Sequence, residues 1–150
     1  MTRLSSALKL NDAIRTKTFE IKGNKFTVKV PLAQEKLAID TSILDIPDEV
    51  VQARFEEMTK PFKDTKIEGI EHKDGDIIVF GNSAKETARS IIQLERKIES
   101  YFKFLVLEEG VNANFTYKEI EEELPLQLQL EVVEKIVEAI EPNYREARKN

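Results

Sequence analysis

One hundred and fifty residues, 41% apolar, 34% charged and 7% aromatic, suffice for one soluble domain with a core and are few for two. The absence of Cys excludes disulfides and thiolate metal sites, and a single His removes the commonest ligand and proton shuttle, so most enzyme signatures are missing. Against 28 acidic side chains stand 23 basic ones, a net charge of −5, which disfavours long-range attraction to nucleic acid or to an anionic membrane.

At the N-terminus, Met1-Thr-Arg-Leu-Ser-Ser-Ala-Leu-Lys-Leu10 is broken by Ser and Lys before the apolar core of a signal peptide can form. The longest apolar runs, Ile77–Phe80 and Phe104–Leu107, fall far short of the ~20 residues that cross a bilayer. These features predict a soluble, cytoplasmic protein built as one α+β domain over 1–150, with polar tails at 1–15 and 142–150.

From Thr18 to Val30 the apolar positions alternate, and Gly23-Asn24 supplies the positive φ of a two-residue hairpin turn. With Lys22 opposite Lys25, Ile21 would face Phe26 and Phe19 would face Val28, which puts all four apolar residues on one buried side. Pro31 ends the second strand. A short helix is predicted over Leu32–Ile39, with Leu32, Leu37 and the Lys36 stem turned toward the sheet.

Ile46-Pro-Asp48 reads as a helix start with Asp48 as N-cap, and Val51, Phe55, Met58 and Phe62 follow as an apolar stripe that Pro61 closes. A second hairpin is predicted from Ile67–Glu71 and Ile77–Phe80 around Asp74-Gly75, the favoured pair for a type I′ turn. Its returning strand is apolar on both faces and therefore reads as interior.

Ser83-Ala-Lys-Glu86 matches a capping box and opens a run without Gly or Pro, from which one long helix, 83–107, is predicted, stopped by Gly110. Toward its end, Tyr101, Phe102, Phe104, Leu105 and Leu107 make the surface apolar almost all round, which means either core or a contact patch. Thr116-Tyr-Lys-Glu119 is a second capping box and starts a short acidic helix. Leu124–Val132 alternates like a strand, but the stripe Leu126, Leu130, Val133, Val137 and Ile140 favours a helix with Pro125 at its first position. The fold class expected is thus α+β, two β-hairpins packed with about four to five helices.

Charge is unevenly spread: residues 15–36 carry six Lys or Arg against two Glu, and residues 108–141 carry ten Glu against two Lys. Two solvated faces would explain this, and so would a polar partner surface.

Candidate chemistry is sparse. His72 lies near Asp74 and Asp76, but a metal site needs three or four converging ligands, and hairpin surface explains it better. Lys73-Asp-Gly-Asp76 lacks the ligand spacing of a calcium loop. Glu121-Glu-Glu123 points its carboxylates about 100° apart and reads as a solvated face. Gly69, Gly75 and Gly81 form no phosphate loop, and no Ser stands in a nucleophile elbow. No catalytic residue, cofactor or metal site is expected. The remaining feature is a partner-binding face of Tyr101, Phe102, Leu105, Leu130, Val133 and Val137, with the long helix and the C-terminal stripe as walls for an amphipathic helix or a second copy of the chain. Its alternative is plain core.

The order Phe19-Glu-Ile-Lys-Gly-Asn-Lys-Phe-Thr-Val-Lys-Val-Pro-Leu32, then helices, then Leu124-Pro-Leu-Gln-Leu-Gln-Leu-Glu-Val-Val133, resembles a tail assembly chaperone of a long-tailed bacteriophage. The resemblance covers residues 17–140. It implies a non-enzymatic viral protein of the host cytoplasm that coats the helical tape-measure protein, keeps it soluble and recruits tail-tube subunits. The other reading is a small acidic regulatory or inhibitory protein, of phage or bacterial origin, that occupies a basic site on its target.

The same resemblance implies a longer frameshifted product. Arg148-Lys149-Asn150 can be encoded by AGA-AAA-AAC, which contains the slippery heptamer A-AAA-AAC, although a plain polar tail explains the ending as well. Sequencing the gene is expected to find a slippery heptamer at or near these codons with an open shifted frame beyond. Codons that cannot slip would remove the expectation.

Overall fold

Two-residue turns with an X-Gly sequence organise both sheets. The computed structural model describes residues 15–62, 68–107 and 113–141. Strand β1 (Thr16–Ile21) returns as β2 (Asn24–Lys29) through Lys22 and Gly23, whose φ angles of 50° and 84° are those of a type I′ turn. The expected register is therefore displaced by two residues: Phe19 faces Phe26, and Ile21 faces Asn24. Placing Gly second in the turn puts Lys22 in the left-handed region and brings the Phe19 and Phe26 rings into a stack at 5.2 Å. A displacement of two keeps the side-chain faces, so the apolar set still shares one side. Ile21 and Val28 are buried, while Phe19 and Phe26 are only half-buried.

Helix α1 (Ala33–Leu44) is longer than expected, and its start does not pack as predicted: Leu32 and Leu37 are 58% and 68% exposed. Charge holds that first turn instead. The Glu35 carboxylate accepts the Leu32 amide at 2.8 Å and the Arg15 guanidinium at 3.0 Å, and Lys36 pairs with Glu141 at 3.7 Å. No Gly or Pro follows before Pro47, so the helix runs on until Arg96 caps it, donating to the carbonyls of Ser42 and Asp45.

Helix α2 (Asp48–Thr59) has Pro47, not Asp48, at its N-cap, and Asp48 and Glu49 instead complement the dipole from inside the first turn. Val51 and Phe55 are buried as the stripe predicts, and a 3-10 turn at Lys60–Phe62 follows. The second hairpin pairs β3 (Ile70–Lys73) with β4 (Asp76–Val79) around Asp74-Gly75. Ile67, the expected start of its first strand, lies outside the described residues. A further X-Gly turn at Phe80-Gly81, with φ of 48° and 84°, adds β5 (Asn82–Ser83), so β4 is indeed interior, central in a three-stranded antiparallel sheet.

Helix α3 (Ala84–Phe102) begins at the predicted capping box, with the Ser83 hydroxyl accepting the Glu86 amide at 3.2 Å. The Asp76 carboxylate reinforces this start by accepting the Ser83 hydroxyl, the Lys85 amide and the Ile77 amide. The helix ends at Phe102 rather than Leu107. After a turn, residues 104–106 run extended along the free edge of β2, with Lys29 N–H donating to Phe104 C=O and Val106 N–H to Thr27 C=O, both at 2.8 Å. The β2 edge outcompetes another helical turn because its amides and carbonyls gain partners while Phe104 is buried. The Gly110 stop lies outside the described residues.

Helix α4 (Tyr117–Glu123) starts at Thr116, whose hydroxyl accepts the Glu119 amide at 3.3 Å. Helix α5 (Leu126–Ile140) lies against β1 and β2, with Pro125 at its N-cap, one residue earlier than expected. Its buried side is Gln129, Val132, Val133, Ile136 and Ile140, so the predicted stripe is rotated: Leu126 and Leu130 are 49% and 41% exposed.

These elements form an α+β fold of two small antiparallel sheets and, among the described residues, five α-helices. They gather into two units, one of residues up to Leu37 and from Ile98 onward, the other Ala38–Lys97. The first is built on Ile21, Val28, Ile98, Tyr101, Val132 and Ile136. In the second, Val51, Phe55, Ile77, Ala84, Ala88 and Ile92 form the core, and Arg54 makes a two-point ion pair with Glu95. The polar tails expected at 1–15 and 142–150 fall outside the described residues apart from Arg15.

Ile136 has no exposed surface, so Ile136→Ala is expected to cost about 2–5 kcal/mol in a denaturant titration. Half-buried Phe26 should cost less on truncation to Ala than the roughly 3–5 kcal/mol of a fully buried Phe.

Acid should act on the second sheet. Burial alone would raise the Asp76 carboxyl, but the Ser83 hydroxyl, the Lys85 and Ile77 amides and the Lys85 charge outweigh it and hold the group below the ordinary carboxylate value. A folded value below the unfolded one, about 3.9, means that ionised Asp76 stabilises the fold above that pH, and the contribution is lost as pH falls through the folded value. Asp76→Asn is expected to lower the melting temperature at neutral pH and to flatten the decline below about pH 4. Parallel acid curves for the two proteins would contradict this.

Candidate functional site

The return of the chain at Phe102 opens a groove of about 980 Å³ in the first unit. One wall is β2, through Lys25, Phe26 and Thr27. The floor comes from Phe102 at the end of α3 and from Leu105 and Val106 beside β2, and Leu107 continues the lining outward. Ala113 and Phe115, then Ile120 and Leu124 of α4, close the other side. The Ala113 amide donates to Leu105 C=O at 2.8 Å and ties that side to the floor.

Local rules place these side chains. Thr116 caps α4, which makes Phe115 and Ile120 the two positions of a hydrophobic staple, both facing the groove. The Tyr117 amide donates to Glu99 at 3.1 Å and fixes α4 to the end of α3. Phe102, Ala113 and Ile120 are buried as the base, whereas Leu107 and Phe115 remain 43% and 40% exposed at the mouth. Two large apolar side chains flanking one opening make a contact patch rather than scattered exposure.

The mouth is acidic. Glu119, Glu122 and Glu123 line it from α4, and among the described residues Lys25 is the only cation in the lining. Positions 119, 122 and 123 are spaced i, i+3 and i+4, so the carboxylates share one side of the helix. Of the run Glu121-Glu-Glu123, Glu122 and Glu123 thus belong to the groove and Glu121 does not. What the described lining offers is apolar contact together with the charges of Lys25, Glu119, Glu122 and Glu123.

Of the six residues expected to bind a partner, Phe102 and Leu105 line the groove. Tyr101 is buried and packs against Phe104 with ring centroids 5.5 Å apart. Val133 is in the core, Val137 is half-buried and Leu130 is exposed on α5, and none of the four lines the groove. The α5 stripe is therefore not a wall of it. Leu107, a member of the apolar cluster read from the sequence as core or contact patch, lines the groove as well, whereas Phe26, Phe115, Ile120 and Leu124 were not expected there. The staple positions around the Thr116 capping box were the available signal for Phe115 and Ile120.

The other candidates resolve simply. His72 is exposed on β3 opposite Ile77, and Asp76 is engaged at the start of α3. Among the described residues, no three His, Asp or Glu side chains converge as a metal site, and no helix is long and apolar enough to cross a membrane. The chain matches no protein-family model, no curated protein and no solved structure.

Proposed function

We propose that this chain is a non-enzymatic binding protein that shelters an apolar helical segment of a partner in the groove between β2 and α4, acting as a phage tail assembly chaperone toward a tape-measure protein. The observation that carries the reading is the groove itself, apolar at its base with Leu107 and Phe115 presented at its mouth. Each large apolar side chain that a partner buries there contributes about 1.5–3 kcal/mol before the cost of association, so one copy binds weakly and many copies coat a long helix reversibly. Tail-tube subunits, recruited by the coated helix, then displace the chaperone. The phage assignment and both partners rest on the sequence resemblance, and the groove supports only the binding step. No cofactor, nucleic acid or membrane enters the reading, and the host cytoplasm is its setting.

The second reading, an acidic regulatory or inhibitory protein, is favoured by the exposed carboxylates of Glu121, Glu122 and Glu123 on α4 and Glu134 and Glu138 on α5. In that case the acidic helices, not the groove, meet the target.

Asp substitution at Leu107 and Phe115 separates the two. Both side chains are partly exposed, so the double variant should fold with an unchanged circular-dichroism spectrum. It is expected to leave a coexpressed tape-measure protein, soluble with the parent chain, in the insoluble fraction. If the variant folds and the tape-measure protein stays soluble, the groove is not the binding site.

A further inference from the structure

Resting on the groove as a binding site, we infer that its occupant is a cationic amphipathic helix, an apolar stripe flanked by Lys or Arg at helical spacing. Charge complementarity at a defined geometry selects this occupant. Glu119, Glu122 and Glu123 stand on one side of α4 at i, i+3 and i+4, and line the same groove as the apolar Phe102, Ile120 and Leu124. A helix laid beside α4 with its stripe in the groove brings its own flanking residues, spaced three and four apart, level with that row of carboxylates. Cations there find partners, and acids meet like charge.

The same row argues against other occupants of similar size. A fatty acid or another anionic amphiphile would bring its head group to three carboxylates that, among the described lining residues, Lys25 alone offsets. A second copy of this chain is a poor match through α5, which carries Glu131, Glu134 and Glu138 against Lys135 alone. Exposed ion pairs are individually weak, about twofold to fivefold in affinity each, so together they set roughly a tenfold preference rather than the binding itself. The preference is electrostatic and is screened by salt.

The test uses the full chain and three labelled synthetic helices that share one Leu stripe and carry Lys, Gln or Glu at the flanking positions, read by fluorescence anisotropy. The Lys helix is expected to bind about tenfold more tightly than the Gln helix at low salt, with the Glu helix weakest and the differences closing near ~0.5 M salt. Replacing both Glu122 and Glu123 with Lys, at exposed positions that bear on no core contact, should reverse the order of the Lys and Glu helices. Equal binding of all three helices, or an order that survives the double replacement, overturns this inference and leaves the groove reading standing. Failure of every helix to bind, or binding that Leu107→Asp with Phe115→Asp does not weaken, overturns both. Sedimentation showing a dimer that Phe115→Asp dissociates would assign the groove to a second copy and also overturn the inference.

Discussion

The edge of β2 governs the first unit. A two-stranded ribbon leaves a row of amides and carbonyls without partners on each outer side, and burying such a row unpaired is costly. Here Thr27 and Lys29 are satisfied by Phe104 and Val106. That pairing ends α3 where a helix-favouring sequence could have continued, and turns Phe104 into the core. It also sets Leu105 and Val106 beside the hairpin as the floor of the groove, with Leu107 at its mouth. Had the helix run to Leu107, the space between β2 and α4 would not exist in this form.

Around this edge, polar groups mark ends while apolar groups fill cores. Asp76 and Ser83 together start α3, Thr116 starts α4, Glu35 holds the first turn of α1 and Arg96 closes its last. Gln129 is an exception. It is 1% exposed, its side-chain amide donates to Leu124 C=O at 2.7 Å, and its Oε1 has no partner among the described residues. The bond it makes holds the junction between α4 and α5, where the chain bends at Pro125.

Local chemistry was legible in the sequence wherever it sufficed to decide the structure. Capping boxes at Ser83 and Thr116 marked true helix starts, Asp74-Gly75 marked a true turn, and Val51 and Phe55 announced a buried stripe. What failed needed a distant partner. Lys22-Gly23 and Gly23-Asn24 are both plausible turns, and the Phe19–Phe26 stack distinguishes them only once the strands meet. Phe104–Leu107 has no Gly or Pro to end a helix, and its strand character depends on an edge some seventy-five residues earlier. The same dependence hid the groove, since Phe26, Leu107 and Phe115 lie on three separate stretches of chain. Phe102, Leu105 and Leu107 were recognised, as part of an apolar cluster whose other members, Tyr101 and Phe104, serve the core.

The first unit is discontinuous in sequence, and this orders events during synthesis. The β1–β2 hairpin leaves the ribosome early and closes within about 1–10 μs, but an isolated hairpin is at best marginally stable in water. Its edge partner at 104–106 and its covering helix α5 follow only after the whole of 38–97 has been made. At about 5–20 residues per second that is a wait of several seconds. Ile21 and Val28, deeply buried at the end, pass through this interval without the helix that will cover them. The continuous stretch 38–97, by contrast, has its own sheet and helices in hand and can condense while the nascent chain is still attached.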